Sequence, residues 1–491
     1  MVGKLSKQGK TSRERKSGAR RRREAPEAPP TFNLVNLGCP KNLVDSERLM
    51  GAMAVEGFVY QEDPSAADIC LVNTCGFLDS SRQEAKEVLD ELKALRGKRG
   101  TPKVVALGCL VERAGGNPQL AEFLAGVDAA VGFADYWRLP ALCRDLCEGK
   151  APRVDVATGY GGKALPDTYI RWLNGPAWRF SSPVSAWLKL GEGCGNHCSY
   201  CAIPLIRGER VSRPASDILL NARQLIDSGA REICLCAQDT TAYGMDFDGE
   251  THLTGLLREL LALGGDVRWR VIYAHPLHLT KELLALMGDE ERVCPYIDLP
   301  LQHVDSAVLG AMGRGYQFSH VKKRLSWIRD LVPGAAIRTT FIVGHPGEGE
   351  AEFGRLLDFV KEGHFDHVGV FAWSPEPGTR STSLARELPT ASPAEAEERA
   401  RRLMRAQARV SRRKWEARVG EVTSVFLESP MPRRRQTWRG HTLWQAPDGL
   451  DGECLVRGIP ADASPGVVTA RIVEADTYGC IAEAPDGGAE S

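Results

Sequence analysis

Three cysteines stand close together at Cys194, Cys198 and Cys201, and thiols at a CxxxCxxC spacing suit one chemistry above others. Such a loop can wrap three irons of a 4Fe-4S cube and leave the fourth without a protein ligand, because cluster irons are normally held by cysteine thiolates. The open iron is where a small molecule would coordinate. A structural zinc site is the competing reading. It normally takes four ligands arranged as two pairs, and no second Cys or His pair of that spacing lies nearby.

Cys39, Cys75 and Cys109 are far apart, yet each follows a strand candidate and each has a glycine beside it: Gly38, Gly76 and Gly108. A parallel sheet gathers such loops in the crevice beyond its strand ends. The trio therefore reads either as a second cluster site or as three unrelated buried thiols. Cys234 with Cys236 on one strand face, and Cys143 with Cys147 on one helix face, read as core thiols. Cys70, Cys294, Cys454 and Cys480 carry no pattern. Other candidates lie at the ends of later strands. Gln238-Asp239 and Gln302-His303 could line a pocket or simply bond within their loops, and Gly344 and Gly347 in Thr340-Phe-Ile-Val-Gly-His-Pro-Gly-Glu348 could let backbone approach a nucleotide closely.

The elements that must position these residues follow an α/β rhythm. In residues 32–149, strand candidates at 32–37, 69–72, 104–107 and 129–131 alternate with helical patterns at 43–55 and 82–95, which gives a parallel α/β sheet domain. Residues 150–185 are rich in Gly and Pro and read as a linker. In residues 186–393, strand candidates at 186–190, 232–236, 270–273, 296–299, 337–343 and 367–371 alternate with helices, a partial TIM-like (βα)6 barrel whose active end lies where the strands finish. An Arg-rich helical connector spans 394–418, and short β runs in 419–485 predict a small closed β-barrel.

Composition narrows the class. Hydrophobic residues are 43% and charged residues 26% of 491, and no apolar run approaches the roughly 18 residues of a membrane span. The basic opening lacks the apolar stretch of a secretory signal, so a cytoplasmic enzyme is expected, and its fourteen cysteines point to metal or redox chemistry before disulfides. Residues 1–31 read as a disordered basic tail.

Gly-Cys-Gly-Asn-His-Cys-Ser-Tyr-Cys-Ala-Ile-Pro around Cys194 resembles the radical S-adenosylmethionine superfamily. By that resemblance, S-adenosylmethionine chelates the open iron through its amine and carboxylate, and its reductive cleavage gives a 5′-deoxyadenosyl radical. Leu-Gly-Cys-Pro-Lys-Asn-Leu-Val-Asp-Ser-Glu, Val-Asn-Thr-Cys-Gly-Phe and Leu-Gly-Cys-Leu around the first trio are similar to the amino-terminal domain of the methylthiotransferases. In that family this domain holds an auxiliary 4Fe-4S cluster where the transferred sulfur is bound. Two branches differ in target: the MiaB type modifies a tRNA adenosine, and the RimO type the β-carbon of an aspartate in small-subunit ribosomal protein twelve.

Cys-Ala-Ile-Pro-Leu-Ile-Arg-Gly, Ala-Gln-Asp-Thr-Thr-Ala-Tyr-Gly and Leu-Pro-Leu-Gln-His resemble the RimO branch. The resemblance implies two 4Fe-4S clusters, an electron donor and a sulfur source as partners, and a terminal TRAM module. An RNA-binding module of that kind should be basic to neutralise phosphates. Residues 419–480 hold six Arg and no Lys against eight Asp/Glu, a net −2 that suits a basic protein target better. The cluster Arg433-Arg434-Arg435 leaves RNA contact open.

Overall fold

The computed structural model describes residues 28–97, 100–115, 117–150, 165–249 and 252–484 of the 491-residue chain. The basic tail, apart from its last residues, lies outside that range.

Every residue of Ile69–Thr74 is buried, the pattern of a strand covered on both faces. It is the centre of a five-stranded parallel sheet in the order Val59–Tyr60, Thr31–Asn36, Ile69–Thr74, Lys103–Gly108, Ala129–Val131. Four of these strands match the sequence expectation, and the two-residue edge strand is additional. The helix Asp79–Ala94 buries Arg82, Ala85, Leu89 and Leu92 against the sheet, a single stripe at helical spacing. The helix Pro40–Val55 begins at a proline in its first turn, where a missing N–H costs nothing.

The expected linker is in part a component of this first unit. Residues 151–164 lie outside the described range, but Asp167–Trp172 is a helix. Leu165, Tyr169, Ile170 and Leu173 sit in one core with Phe32, Phe133 and Tyr136. The chain then crosses the helix Pro40–Val55 at Gly51, where a Cβ would stand 2.5 Å from the carbonyl oxygen of Pro176.

The central unit has six parallel strands, Ser185–Lys189, Glu232–Cys236, Arg268–Val271, Tyr296–Asp298, Ala336–Val343 and His367–Ala372, in two three-stranded ladders. A bridge between Trp269 and Val293 joins the ladders, so the strands form one partial barrel, open between the first and the last. Its interior holds Trp187, Cys234, Cys236, Cys294, Tyr296 and Ala336, capped by Val44 of the first unit and by Ala446 from the end of the chain. The core-thiol reading of Cys234 and Cys236 holds.

The helix Pro393–Ala417 opens with a reciprocal Ser392/Glu395 cap and packs Leu403, Gln407 and Val410 inward. The closed barrel that follows is built from Val422–Pro430, Thr437–Thr442, Cys454–Arg457, Gly466–Ala475 and Cys480–Glu483, as a TRAM-like module requires. Its segment from Leu443 to Asp451 reaches inside the central barrel: Trp187 Nε1 donates to Asp448 (2.9 Å), Tyr296 Oη to Asp451 (2.6 Å), and Arg270 to the Leu443 carbonyl (2.9 Å). No helix among the described residues is long and apolar enough to cross a membrane.

Candidate iron–sulfur and cofactor site

Both cysteine trios converge, and both lie at the strand ends that face the junction of sheet and barrel. In the first trio, Cys39 caps the helix Pro40–Val55 and Cys109 opens the helix Cys109–Ala114. The neighbouring glycines allow the approach. A Cβ at Gly38 would lie 3.1 Å from Cβ of Cys75, and one at Gly76 2.7 Å from Cα of Leu110. Gly108, at φ +89°, has room for no side chain, because a Cβ would meet Asn73 Oδ1 at 2.4 Å. Asn42 ties the loops together by donating to the carbonyls of Leu37 (3.1 Å) and Thr74 (3.0 Å), and its Oδ1 lies 3.6 Å from Cys109 Sγ.

The second trio leaves the first barrel strand in the loop after Glu192. Backbone and side-chain nitrogens of Asn196 lie 3.5 Å from Cys194 Sγ, the Ile203 N–H lies 3.4 Å from Cys201 Sγ, and Arg314 Nη1 lies 3.4 Å from Cys198 Sγ. In the first trio Arg207 Nη2, from the barrel unit, lies 3.6 Å from Cys109 Sγ. Donors aimed at sulfur stabilise thiolate ligands and tune clusters, so both donor sets fit iron–sulfur cubes. A single tetrahedral zinc fits less well. With Zn–S near 2.3 Å its thiolates would crowd together, and among the described residues no three cysteine sulfurs lie within 4.8 Å of one another.

Electrostatics separate the thiols. Burial pushes Cys109 up to about 12 and raises Cys75 and Cys194. Burial also opposes the Cys39 thiolate, but Lys41 and Arg207 outweigh it and bring that thiol below its ordinary value.

A buried network joins the two trios. Arg207 donates to Glu192 (2.6 Å) and to Asn42 (2.6 Å), Tyr169 Oη lies within hydrogen-bond distance of both Asp45 (2.8 Å) and Glu192 (2.9 Å), with one proton to give, and Lys189 pairs with both carboxylates. Burial works against the Glu192 carboxylate, yet Arg207 and Lys189 hold it well below the ordinary range. Gln238 Nε2 donates to Glu192 at 2.9 Å, leaving its Oε1 buried with no partner among the described residues. An orphaned acceptor here fits a ligand that brings its own N–H.

Gln302, at φ +70°, borders a cavity of about 180 Å³ between the two units, lined by Phe77, Tyr200, Thr340 and Trp373 among others. The glycine turn behaves differently from its sequence reading. A Cβ at Gly344 would lie 2.5 Å from Cβ of Ala396, so the close approach at Gly344 is to the helix Pro393–Ala417. Glu348 secures that packing by accepting from Gly344 N (3.0 Å) and Arg399 (2.8 Å).

Sequence reasoning gave no role to Lys41 and Arg207, although both stand inside the motifs that carry the family resemblance, and it missed Arg314, a single basic residue with no spacing signal. It named Asp239 but not its partners His275 and His278, whose ligand atoms lie within 4.8 Å of one another and of Asp239. His278 Nδ1 and Asn196 Nδ2 both bond Asp239 Oδ2 (2.7 and 2.8 Å), which braces the Cys194 loop.

Residues 188–360 match the Radical SAM superfamily, and residues 31–132 match Uncharacterized protein family UPF0004. The ribosomal protein uS12 methylthiotransferase RimO of Syntrophus aciditrophicus is 39% identical over 92% of this chain and 98% of its own, and that of a Synechococcus strain is 40% identical over 92% and 89%. Among solved structures, the radical S-adenosylmethionine methyltransferase TsrM of Kitasatospora setae superposes with a TM-score of 0.51 at 17% identity, covering 69% of this chain and 72% of that one, a likeness of fold. A radical S-adenosylmethionine domain implies an iron–sulfur cofactor and use of S-adenosylmethionine. The chain belongs to the RimO methylthiotransferase family of the radical S-adenosylmethionine superfamily.

Proposed function

We propose that the protein methylthiolates the β-carbon of an aspartate in ribosomal protein uS12, using two 4Fe-4S clusters. Cys194, Cys198 and Cys201 hold one cluster beside S-adenosylmethionine, and Cys39, Cys75 and Cys109 hold the other. The chemistry these groups supply when bound is reductive cleavage of S-adenosylmethionine at the first and delivery of a methylthio group at the second, a task for cofactors because an unactivated C–H bond gives acid–base groups little purchase. An electron donor and a sulfur source are required partners, and a ribosomal substrate puts the enzyme in the cytoplasm.

The observation that carries this reading is Arg207. It is a barrel residue whose guanidinium reaches Cys109 of the first trio while bonding Glu192, two residues before Cys194. The chain's own residues thus hold the trios on either side of one buried junction. Gln238 and Gln302 bind and orient the nucleoside side of S-adenosylmethionine, and Phe77, Tyr200 and Trp373 wall the adjoining cavity against water. Gly344 and Gly347 contribute through the packing that fixes the fifth barrel strand.

Anaerobically reconstituted protein incubated with uS12, S-adenosylmethionine and a reductant is expected to add one methylthio group to the ribosomal protein, read by mass spectrometry. Methylthiolated tRNA adenosine with unmodified uS12 would move the assignment to the other branch.

A further inference from the structure

Lys41 follows Cys39 by two residues, and its Nζ stands 3.2 Å from the centre of the Tyr273 ring at the end of the third barrel strand. The residue is only 7% exposed. Several buried cations of the junction have carboxylates. Lys189 and Arg207 share Asp45 and Glu192, Arg338 has Asp298 and Asp451, and Arg82 and Arg113 share Glu376. Lys41 has none among the described residues, and no hydrogen-bond acceptor either. Its anionic neighbour is the Cys39 thiol in its ionised form, and an ammonium so little exposed is stabilised further by a carboxylate that joins it.

Its neighbour is held in an unusual posture. Tyr273 has φ +64°, a conformation that a bulky side chain adopts only when its surroundings enforce it. Its N–H donates to Asp298 Oδ2 (3.1 Å) and its carbonyl accepts from Thr240 N (3.0 Å). The ring therefore covers one side of the ammonium. The other donors of Lys41 remain for something in the junction, and both Cys39 and Cys236 feel its charge.

We propose that Lys41 anchors the side-chain carboxylate of the substrate aspartate, with Tyr273 fixing where the ammonium stands. The inference rests on the aspartate-modifying function above. A compact ammonium with three rotatable donors suits a carboxylate one bond from the reacting carbon. The base of an adenosine has no anion to offer, so Lys41 also selects the substrate class.

The test uses reconstituted holoenzyme with full-length uS12. Lys41→Met keeps the buried apolar stem and removes the unpaired charge, a replacement that buried sites tolerate. Lys41→Met should raise KM for uS12 about 10- to 100-fold, the worth of a charge-assisted hydrogen bond, more than it lowers kcat. It should also erase the preference for uS12 carrying Asp over Asn at the modified position, and Lys41→Arg should recover part of the KM. Iron content and the EPR spectra of the reduced clusters should match the unaltered enzyme. An unchanged KM overturns the proposal, as does a displaced EPR spectrum or midpoint potential at constant KM, which would make Lys41 a counter-charge to the cluster. If the unaltered enzyme leaves uS12 unmodified, the function proposed above fails first, and this anchor with it.

Discussion

Arg113 Nη1, on the helix that opens at Cys109, lies 2.8 Å from the carboxylate of Glu376, which follows the last barrel strand. Arg82 reaches the same oxygen at 2.7 Å, and all three side chains are at most 4% exposed. Arg113 also donates to the carbonyls of Gly76 (2.8 Å) and Phe77 (3.1 Å), next to Cys75. Glu376→Gln strands Arg113 without an anion and leaves Arg82 only the exposed Asp79, and breaking such a buried pair costs about 3–5 kcal/mol. Urea denaturation should show that loss, and limited proteolysis should find the first unit released before the barrel. A variant as stable as the parent would mean that the clamp contributes nothing.

Replacing Cys39, Cys75 and Cys109 together by Ala should remove about half of the bound iron and sulfide, one cube of two, and replacing Cys194, Cys198 and Cys201 should remove the other half. Only the second set should abolish S-adenosylmethionine cleavage. Full iron in the first variant, or zinc in place of iron, would end the two-cluster reading.

Gly108→Ala places a methyl group 2.4 Å from Asn73 Oδ1 and 2.7 Å from the Thr74 carbonyl oxygen, at φ +89°. The backbone strain alone is worth roughly 1–3 kcal/mol; the Thr74 carbonyl is backbone, and the Asn73 amide is tethered by its Nδ2 bonds to the Asn42 carbonyl and Ser46 (both 2.9 Å). Thermal unfolding should shift down and the iron held by the first trio should fall. Ser at Gly97, where a Cβ meets nothing, is the harmless control.

His441 lies 2.9 Å from both Glu232 and Glu428. Burial disfavours its cation, but Glu232 and the two hydrogen bonds prevail and raise it to about 9. Because the folded value exceeds the ordinary 6.5 or so, this stabilisation is complete below pH of about 6.5 and fades as pH rises to about 9. The span corresponds to something on the order of 3 kcal/mol. His441→Gln should flatten stability against pH in that window, and an unchanged slope would argue against a charged His441.

Periodicity made the regular elements legible. Strands such as Ile69–Thr74 and Glu232–Cys236 are short apolar runs bounded by turns, and the cysteine trios stand just beyond strand ends, where a parallel sheet must gather them. The helix Asp167–Trp172 was not legible as such. Six residues are too few to display a helical stripe, and the Gly and Pro around them dominate the local signal, although Leu165, Tyr169 and Leu173 at four-residue steps mark its buried face. Gly344 shows a different limit. A glycine at positive φ states that something approaches closely, but only the packed chain says that it is Ala396. Arg207, Glu376 and Lys41 act across large sequence separations, and no local pattern encodes such pairs.

The stretch from Leu443 to Asp451 lends the middle of the chain part of its lining. During synthesis, Arg270 and Arg338 leave the ribosome more than a hundred residues before Leu443 and Asp451 can meet them. Domains usually fold in turn from the amino end as they emerge. Here the middle unit has to wait with its inner charges wet, and a polypeptide that stalls before residue 443 would release an unfinished cylinder.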